Sequence, residues 1–337
     1  MTVRLDALCR KASSNVAQKD LEQRDGAYPI FGAGGLIKYV DFYQQERPYI
    51  AVVKDGAGVG RVMRLPGKSS VIGTMQYILP NEGVSVSYLA YAMEHLDLAR
   101  HCTGATIPHI YFRDYGRETL RSHSPEEQRR IAAVLDQAVG LAVLRRRQLD
   151  KLDELIRARF FEMFGDPIAN SKNLPVKRLV DVVTLQRGYD LPVQNRNADG
   201  SIPVYGSNGI LGHHGEAKSS NGVVTGRSGT IGRVYYCKGP FWPLNTTLFS
   251  VETYGNDIVY LSYLLSYFGL ERFHDGTGVP TLNRNVIHKE KIIDVPVSRQ
   301  AVFSSFVRQI EQLKLSIRQS LAQLETLKKS LMQQYFG

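Results

Sequence analysis

The chain has 337 residues, 43% of them apolar, with 30 Gly and 14 Pro, a composition that excludes disorder and leaves room for two or three domains. A net charge of +10 suits a polyanionic partner, but the excess is spread along the chain without a basic tail, so phosphate contacts would come from scattered Lys and Arg gathered by the fold. Cys9, Cys102 and Cys237 lie far apart, without a C-x-x-C pair or regular spacing to histidine, which excludes a disulfide framework and a structural zinc site. No run reaches ~18 apolar residues and residues 1–10 lack the apolar core of a signal peptide, so no membrane association and a cytoplasmic location are expected.

In chain order, the first ~120 residues mix short β-rich runs such as 48–53 with glycine-rich turns and one short helix near 87–93. Residues 125–165 read as one long helix: Ser124 caps it, Pro125 suits the first turn, Glu126 and Glu127 suit its positive end, and Gly165 stops it. The pattern then starts again. Tyr28-Pro29-Ile30-Phe31-Gly32 returns as Ile202-Pro203-Val204-Tyr205-Gly206, Val59-Gly60-Arg61-Val62 as Ile231-Gly232-Arg233-Val234, and Thr103-Gly104 as Thr277-Gly278. Gln128 returns as Gln300 and Phe164-Gly165 as Phe336-Gly337, all at offsets of 172 or 174. Five landmarks in order identify an internal duplication whose period is far too long for a solenoid. Each copy is therefore a domain followed by a helix: 1–124, 125–165, 166–297 and 298–337.

In the last segment Phe303, Phe306, Ile310, Leu313, Ile317, Ser320, Leu324, Leu327 and Leu331 alternate three and four apart, the seam of a coiled coil. The offset predicts Val134, Ala138, Leu141, Arg145, Gln148, Leu152 and Leu155 as the seam of the first helix. A wet apolar stripe needs a partner, and the order domain, helix, domain, helix makes the two helices antiparallel partners related by a pseudo-twofold axis. The fold class expected is α+β: two globular α+β domains separated by two long helices in an antiparallel coiled coil.

Several motifs are incomplete. Gly67-Lys68-Ser69 ends like a phosphate-binding loop, but Val62 stands where its first glycine belongs. Phe31-Gly32-Ala33-Gly34-Gly35 has the wrong spacing for an S-adenosylmethionine site. His101-Cys102 and His213-His214 lack partners at metal spacing, and no hydrolase elbow or metalloprotease helix is present. Neither a catalytic constellation nor a metal site is expected.

The ordered set resembles the specificity subunit of type I restriction-modification enzymes. The residues that carry the resemblance are the Gly60-Arg61 and Gly232-Arg233 turns, the segments 103–110 and 277–284, and the helix entries Pro125-Glu126-Glu127-Gln128 and Pro296-Val297-Ser298-Arg299-Gln300, where Arg299 departs from Glu127. The resemblance implies target-recognition domains that each read half of a bipartite, asymmetric site in double-stranded DNA. It also implies helices that set the gap and dock two methyltransferase subunits, which motor-nuclease subunits then join. S-adenosylmethionine, ATP and magnesium would belong to those partners, with no cofactor in this chain. A recognition subunit of a related type IIB-like restriction-methylation enzyme, a coiled-coil protein-binding adaptor and an undetected enzyme are the alternatives. Candidate DNA contacts are turn residues after strands, Lys54 and Asp55 and then Arg227 and Ser228. With them stand the polar residues following the Thr-Gly landmarks, His109, Tyr111 and Arg113 and then Asn283, Arg284 and Asn285. Arg can bridge guanine O6 and N7, and Asn adenine N6 and N7.

Overall fold

The computed structural model describes residues 2–104, 106–197, 199–275 and 278–337; Ala105 and Thr277 of the paired Thr-Gly segments lie outside the described residues. Two compact units emerge, residues 1–147 with 318–337, and residues 148–317. The boundary falls inside the two long helices rather than at their ends, because each half-helix buries its apolar stripe in a different unit.

The first unit holds β1 (Cys9–Ser13), β2 (Tyr28–Gly32), β3 (Gly35–Val40), β4 (Tyr49–Val53), β5 (Val62–Leu65), β6 (Ser70–Val71) and β7 (Met75–Pro80). They form a four-stranded antiparallel sheet in the order β1-β7-β4-β5 and a three-stranded sheet β3-β2-β6. All five residues of β4 are buried, as expected for an apolar run in the middle of a sheet. Helix α1 (Val86–His95) covers that sheet and is capped by Ser85, whose hydroxyl accepts from the Tyr88 N–H. Long helix α2 (Pro125–Phe164) follows. Ser124 and Glu127 form a reciprocal capping box at its start, and Gly165 at φ +75° ends it in the left-handed conformation.

The second unit repeats this order with β8 (Thr184–Arg187), β9 (Ile202–Gly206), β10 (Gly209–His214), β11 (Ser219–Gly226), β12 (Val234–Pro243), β13 (Thr247–Glu252) and α3 (Ile258–Phe268), then long helix α4 (Val297–Phe336). One difference is instructive. Where β5 and β6 are separate strands, β12 is continuous over ten residues, so in the second unit the equivalent strands join into one six-stranded sheet in the order β8-β13-β11-β12-β9-β10. The register still matches: β2 pairs parallel with β6 through Ile30 and Ser70, and β9 with β12 through Val204 and Trp242.

In the first unit Ile131, Leu135 and Ala138 of α2 are buried, and Ile131 and Leu135 pack in one cluster with Met332 and Phe336 of α4; Arg146 pairs with Glu325 at 3.1 Å. Rising numbers on one helix meet falling numbers on the other, an antiparallel pair. The second unit shows the same with Ile156, Phe160 and Phe164 against Phe303, Val307 and Ile310. The seam differs in part from the sequence pattern. Leu141, Leu155, Leu313 and Leu327 are 46–54% exposed, whereas Ile156 and Lys314 beside them are buried. Selecting apolar residues alone misplaces the stripe wherever its true position is polar: Lys314 fills one seam position, its ammonium 2.7 Å from both Asp153 and Glu311.

The duplicated glutamines are buried and do the same work twice. Gln128 accepts from the Ser85 N–H at 3.2 Å and donates to His123 O at 3.0 Å. Gln300 accepts from the Asp257 N–H at 2.8 Å and donates to Val295 O at 2.7 Å. Each satisfies the backbone donor of the residue capping the short helix and so locks that helix to the long one. Gly67-Lys68-Ser69 is a structural turn, with Ser69 fully buried and hydrogen-bonded to Pro66 O and the Tyr49 hydroxyl. Among the described residues no helix is long and apolar enough to cross a membrane, and no cluster of three His, Cys, Asp or Glu could hold a metal.

Candidate nucleic-acid interface

A strand that leaves its sheet exposes backbone groups that need new partners. At the end of β4 the N–H groups of Lys54 and Asp55 both donate to Thr74 O, at 3.0 and 3.2 Å, the Ile110 N–H donates to Lys54 O at 2.9 Å, and the Gly56 N–H to Pro108 O at 2.9 Å. At the end of β11 the same four bonds recur: Arg227 and Ser228 donate to Thr246 O at 2.8 and 3.1 Å, Leu282 to Arg227 O at 2.8 Å, and Gly229 to Pro280 O at 3.0 Å. These bonds gather each half of the candidate set, Lys54 and Asp55 beside His109, Tyr111 and Arg113 in the first unit, Arg227 and Ser228 beside Asn283, Arg284 and Asn285 in the second.

One backbone frame thus presents two chemistries. In the first unit the His109 and Tyr111 rings meet edge to face at 4.9 Å and the Arg113 guanidinium lies 4.7 Å over Tyr111, a ladder whose Tyr111 and Arg113 rungs are exposed. Lys54 and Asp55 face each other at 3.6 Å, a weak ion pair that a nucleic acid could displace. In the second unit Arg227, Asn283, Arg284 and Asn285 line an open cleft of about 420 Å³. The Asn283 side chain accepts from the Asn285 N–H at 2.9 Å and caps the short helix Arg284–Ile287, which commits its oxygen. Behind the cleft, burial and then the Arg284 charge lower the pKa of His288, whose Nε2 accepts from the Leu185 N–H at 3.0 Å.

The Gly-Arg landmarks are packing sites: a Cβ on Gly60 would fall 2.5 Å from Ala99 N, and one on Gly232 2.6 Å from Glu271 Oε2, so the turn presses on the 3-10 helix that follows the short helix in each unit. Two features escaped sequence reasoning. Arg187, at the end of β8 opposite Leu248, lines the cleft of the second unit; it has no equivalent landmark in the first copy and so no sequence signal. The hairpin tip bearing Ser207 lies beside the same strand end, since a Cβ on Gly229 would sit 3.5 Å from Ser207 Oγ. The repeated strand ends Gly32 and Gly206 did mark that turn, but its proximity to residue 229 depends on the sheet register.

Residues 171–326 match the family model of the type I restriction modification DNA specificity domain. The fold is similar to the crystal structure of a type I restriction-modification system S subunit from M. genitalium, with a TM-score of 0.70 at 16% identity over 100% of this chain and 96% of that one. It is also similar to a chain from a structure concerned with complex assembly and conformational transition of the type I R-M system, with a TM-score of 0.59 at 13% identity over 99% of this chain and 97% of that one. No curated protein matches the sequence. The β-sheet register, the short helix and the long helix of the second unit recur in the first at the same offset, outside the matched residues. The match to the DNA specificity domain model thus covers residues 171–326, and the chain shares the fold of the two solved chains over nearly its full length.

Proposed function

We propose that the chain is the non-catalytic specificity subunit of a type I restriction-modification assembly in the cytoplasm, each unit reading one half of a bipartite, asymmetric target in double-stranded DNA. The observation that carries this is the repeated set of four backbone hydrogen bonds that offers aromatic and cationic groups at residues 109–113 but amide and guanidinium groups at residues 283–285. Equal frames with unequal side chains suit two half-sites of different sequence. The long helices set the gap between half-sites and dock two methyltransferase subunits, to which motor-nuclease subunits attach. S-adenosylmethionine, ATP and magnesium act in those partners.

Replacing residues 1–124 by the matching segment of another specificity subunit, then mapping methylated adenines in a host that carries the partner subunits, tests the reading. One half-site should change while the other stays. A simultaneous change of both half-sites would contradict a modular reader, and methyl transfer by the purified chain alone would contradict the non-catalytic role.

A further inference from the structure

The cleft of the second unit differs from the rest of the candidate surface in holding three arginines, Arg187, Arg227 and Arg284, with Thr281, Asn283 and Asn285 and no carboxylate in its lining. Arg227 donates from Nε to Asn245 O at 2.9 Å, which fixes the plane of its guanidinium; among the described residues its other two nitrogens have no hydrogen-bond partner. The Arg284 side chain is exposed and has neither hydrogen bond nor ion pair among the described residues. Among the described residues Arg187 reaches only Asp190, at 3.6 Å, and that carboxylate is itself engaged by Asn245. Three guanidiniums around one opening repel one another unless an anion sits among them, and the planar fork of arginine matches a phosphate bidentately.

We propose that this cleft seats one backbone phosphodiester of duplex DNA, so that Arg187, Arg227 and Arg284 hold the second half-site in register while base reading falls to their neighbours, Ser228 and Asn285. This rests on the DNA-reading role proposed above and assigns a division of labour within it. The corresponding place in the first unit bears the His109, Tyr111 and Arg113 ladder, whose rings offer a stacking face where the second unit offers an anion seat. The two heads therefore grip DNA by different physics. Phosphate contacts fix position without carrying sequence information.

The test uses the full chain assembled with its methyltransferase partner and target duplexes in which single phosphates are replaced, one at a time, by neutral methylphosphonates. In the unsubstituted protein one position in the second half-site should weaken binding by about tenfold, as expected for loss of a charge-assisted contact of about 1.4 kcal/mol. In Arg187→Gln/Arg284→Gln binding should fall for all sequences alike, the salt dependence should become shallower by about 1 in log-log slope, and the sensitivity at that position should shrink to what Arg227 alone supplies. Lys238→Gln, an exposed charge of the same unit outside the cleft, should keep the sensitivity. A changed base preference at the second half-site, or methylphosphonate sensitivity undiminished in the double variant, would overturn the proposal. Failure of the DNA-reading role itself would show earlier and separately, as absence of sequence-selective, salt-sensitive binding by the unsubstituted assembly.

Discussion

In the first unit the short helix and its sheet meet the long helices through a buried apolar cluster edged with charge. Arg64 donates to Ser87 Oγ at 2.9 Å and to Asp136 at 2.5 Å, Tyr91 donates to the same Asp136 oxygen at 2.7 Å, and Lys328 bonds Glu94 at 2.9 Å. In the second unit the corresponding joint is built from rings. Phe160 lies 4.9–5.5 Å from Phe164, Tyr267 and Phe303, and Tyr263 is 5.5 Å from Phe303. Duplication supplied one backbone plan with a buried apolar cluster in each unit, and divergence added ion pairs to one joint and a largely buried set of aromatic rings to the other. The difference shows which parts of the plan are obligatory: the buried glutamine at the entry of each long helix persists in both, whereas the chemistry of the joint does not. Partly exposed ion pairs contribute little each, while aromatic burial is worth far more, so the rings add more to the second joint than the ion pairs add to the first.

The largest expected effect breaks the aromatic joint. Phe160 has no solvent exposure and contacts both α3 and α4, so Phe160→Ala should destabilise the second unit by about 3–5 kcal/mol, from lost burial plus the cavity left behind. The first unit should be affected little. Urea unfolding followed by hydrogen exchange resolves the two: protection should fall in residues 148–317 and persist in residues 2–104. A uniform loss of protection would show that the joints are not independent.

A subtler test uses two equivalent tyrosines. Tyr88 is buried and its hydroxyl donates to Arg121 O at 3.1 Å and lies 2.8 Å from His123 Nδ1, whereas the buried Tyr260 hydroxyl, 172 residues on, has no partner among the described residues. Tyr88→Phe should therefore cost about 1 kcal/mol, and Tyr260→Phe should be neutral or stabilising by a similar amount, since removing an unsatisfied buried hydroxyl removes a desolvation penalty. Opposite signs at equivalent positions would sharpen the contrast between the joints. Equal losses, measured as shifts in urea midpoint, would refute it.

The duplication was legible because glycines, the helix-entry glutamines and the Phe-Gly ends each meet a backbone demand that recurs at fixed spacing, and the offset also carried the order of strands. The seam was only half legible. Two apolar stripes overlap on each long helix, and at Lys314 the inward position is charged, so no hydrophobic pattern could select it over Leu313. Both segments of each candidate site were visible as polar residues after strands or glycine turns, but their convergence rests on bonds such as Ile110 to Lys54 and Leu282 to Arg227, which only tertiary structure reveals. Arg187 lay beyond reach for the same reason: its place in the cleft comes from the pairing of β8 with β13.

The smallest expected effect separates the units by pH. Burial lowers the pKa of both His123 and His288, so each stabilises the fold as neutral imidazole. Their contribution is full above the ordinary histidine value of about 6.5 and is lost as pH falls through that value toward the lowered native one. The consequences of protonation differ. His288 Nε2 accepts the Leu185 N–H, so a proton there places donor against donor and removes a hydrogen bond worth about 0.5–1.5 kcal/mol. Protonated His123 can instead donate from Nδ1 to the Tyr88 oxygen while Tyr88 continues to donate to Arg121 O. His288→Gln, whose amide oxygen can accept from Leu185 at any pH, should therefore flatten the fall in urea midpoint between about pH 7 and pH 5.5, and His123→Gln should flatten it less. Parallel profiles for His288→Gln and the unsubstituted protein would show that the β8 contact does not carry the acid sensitivity of the second unit.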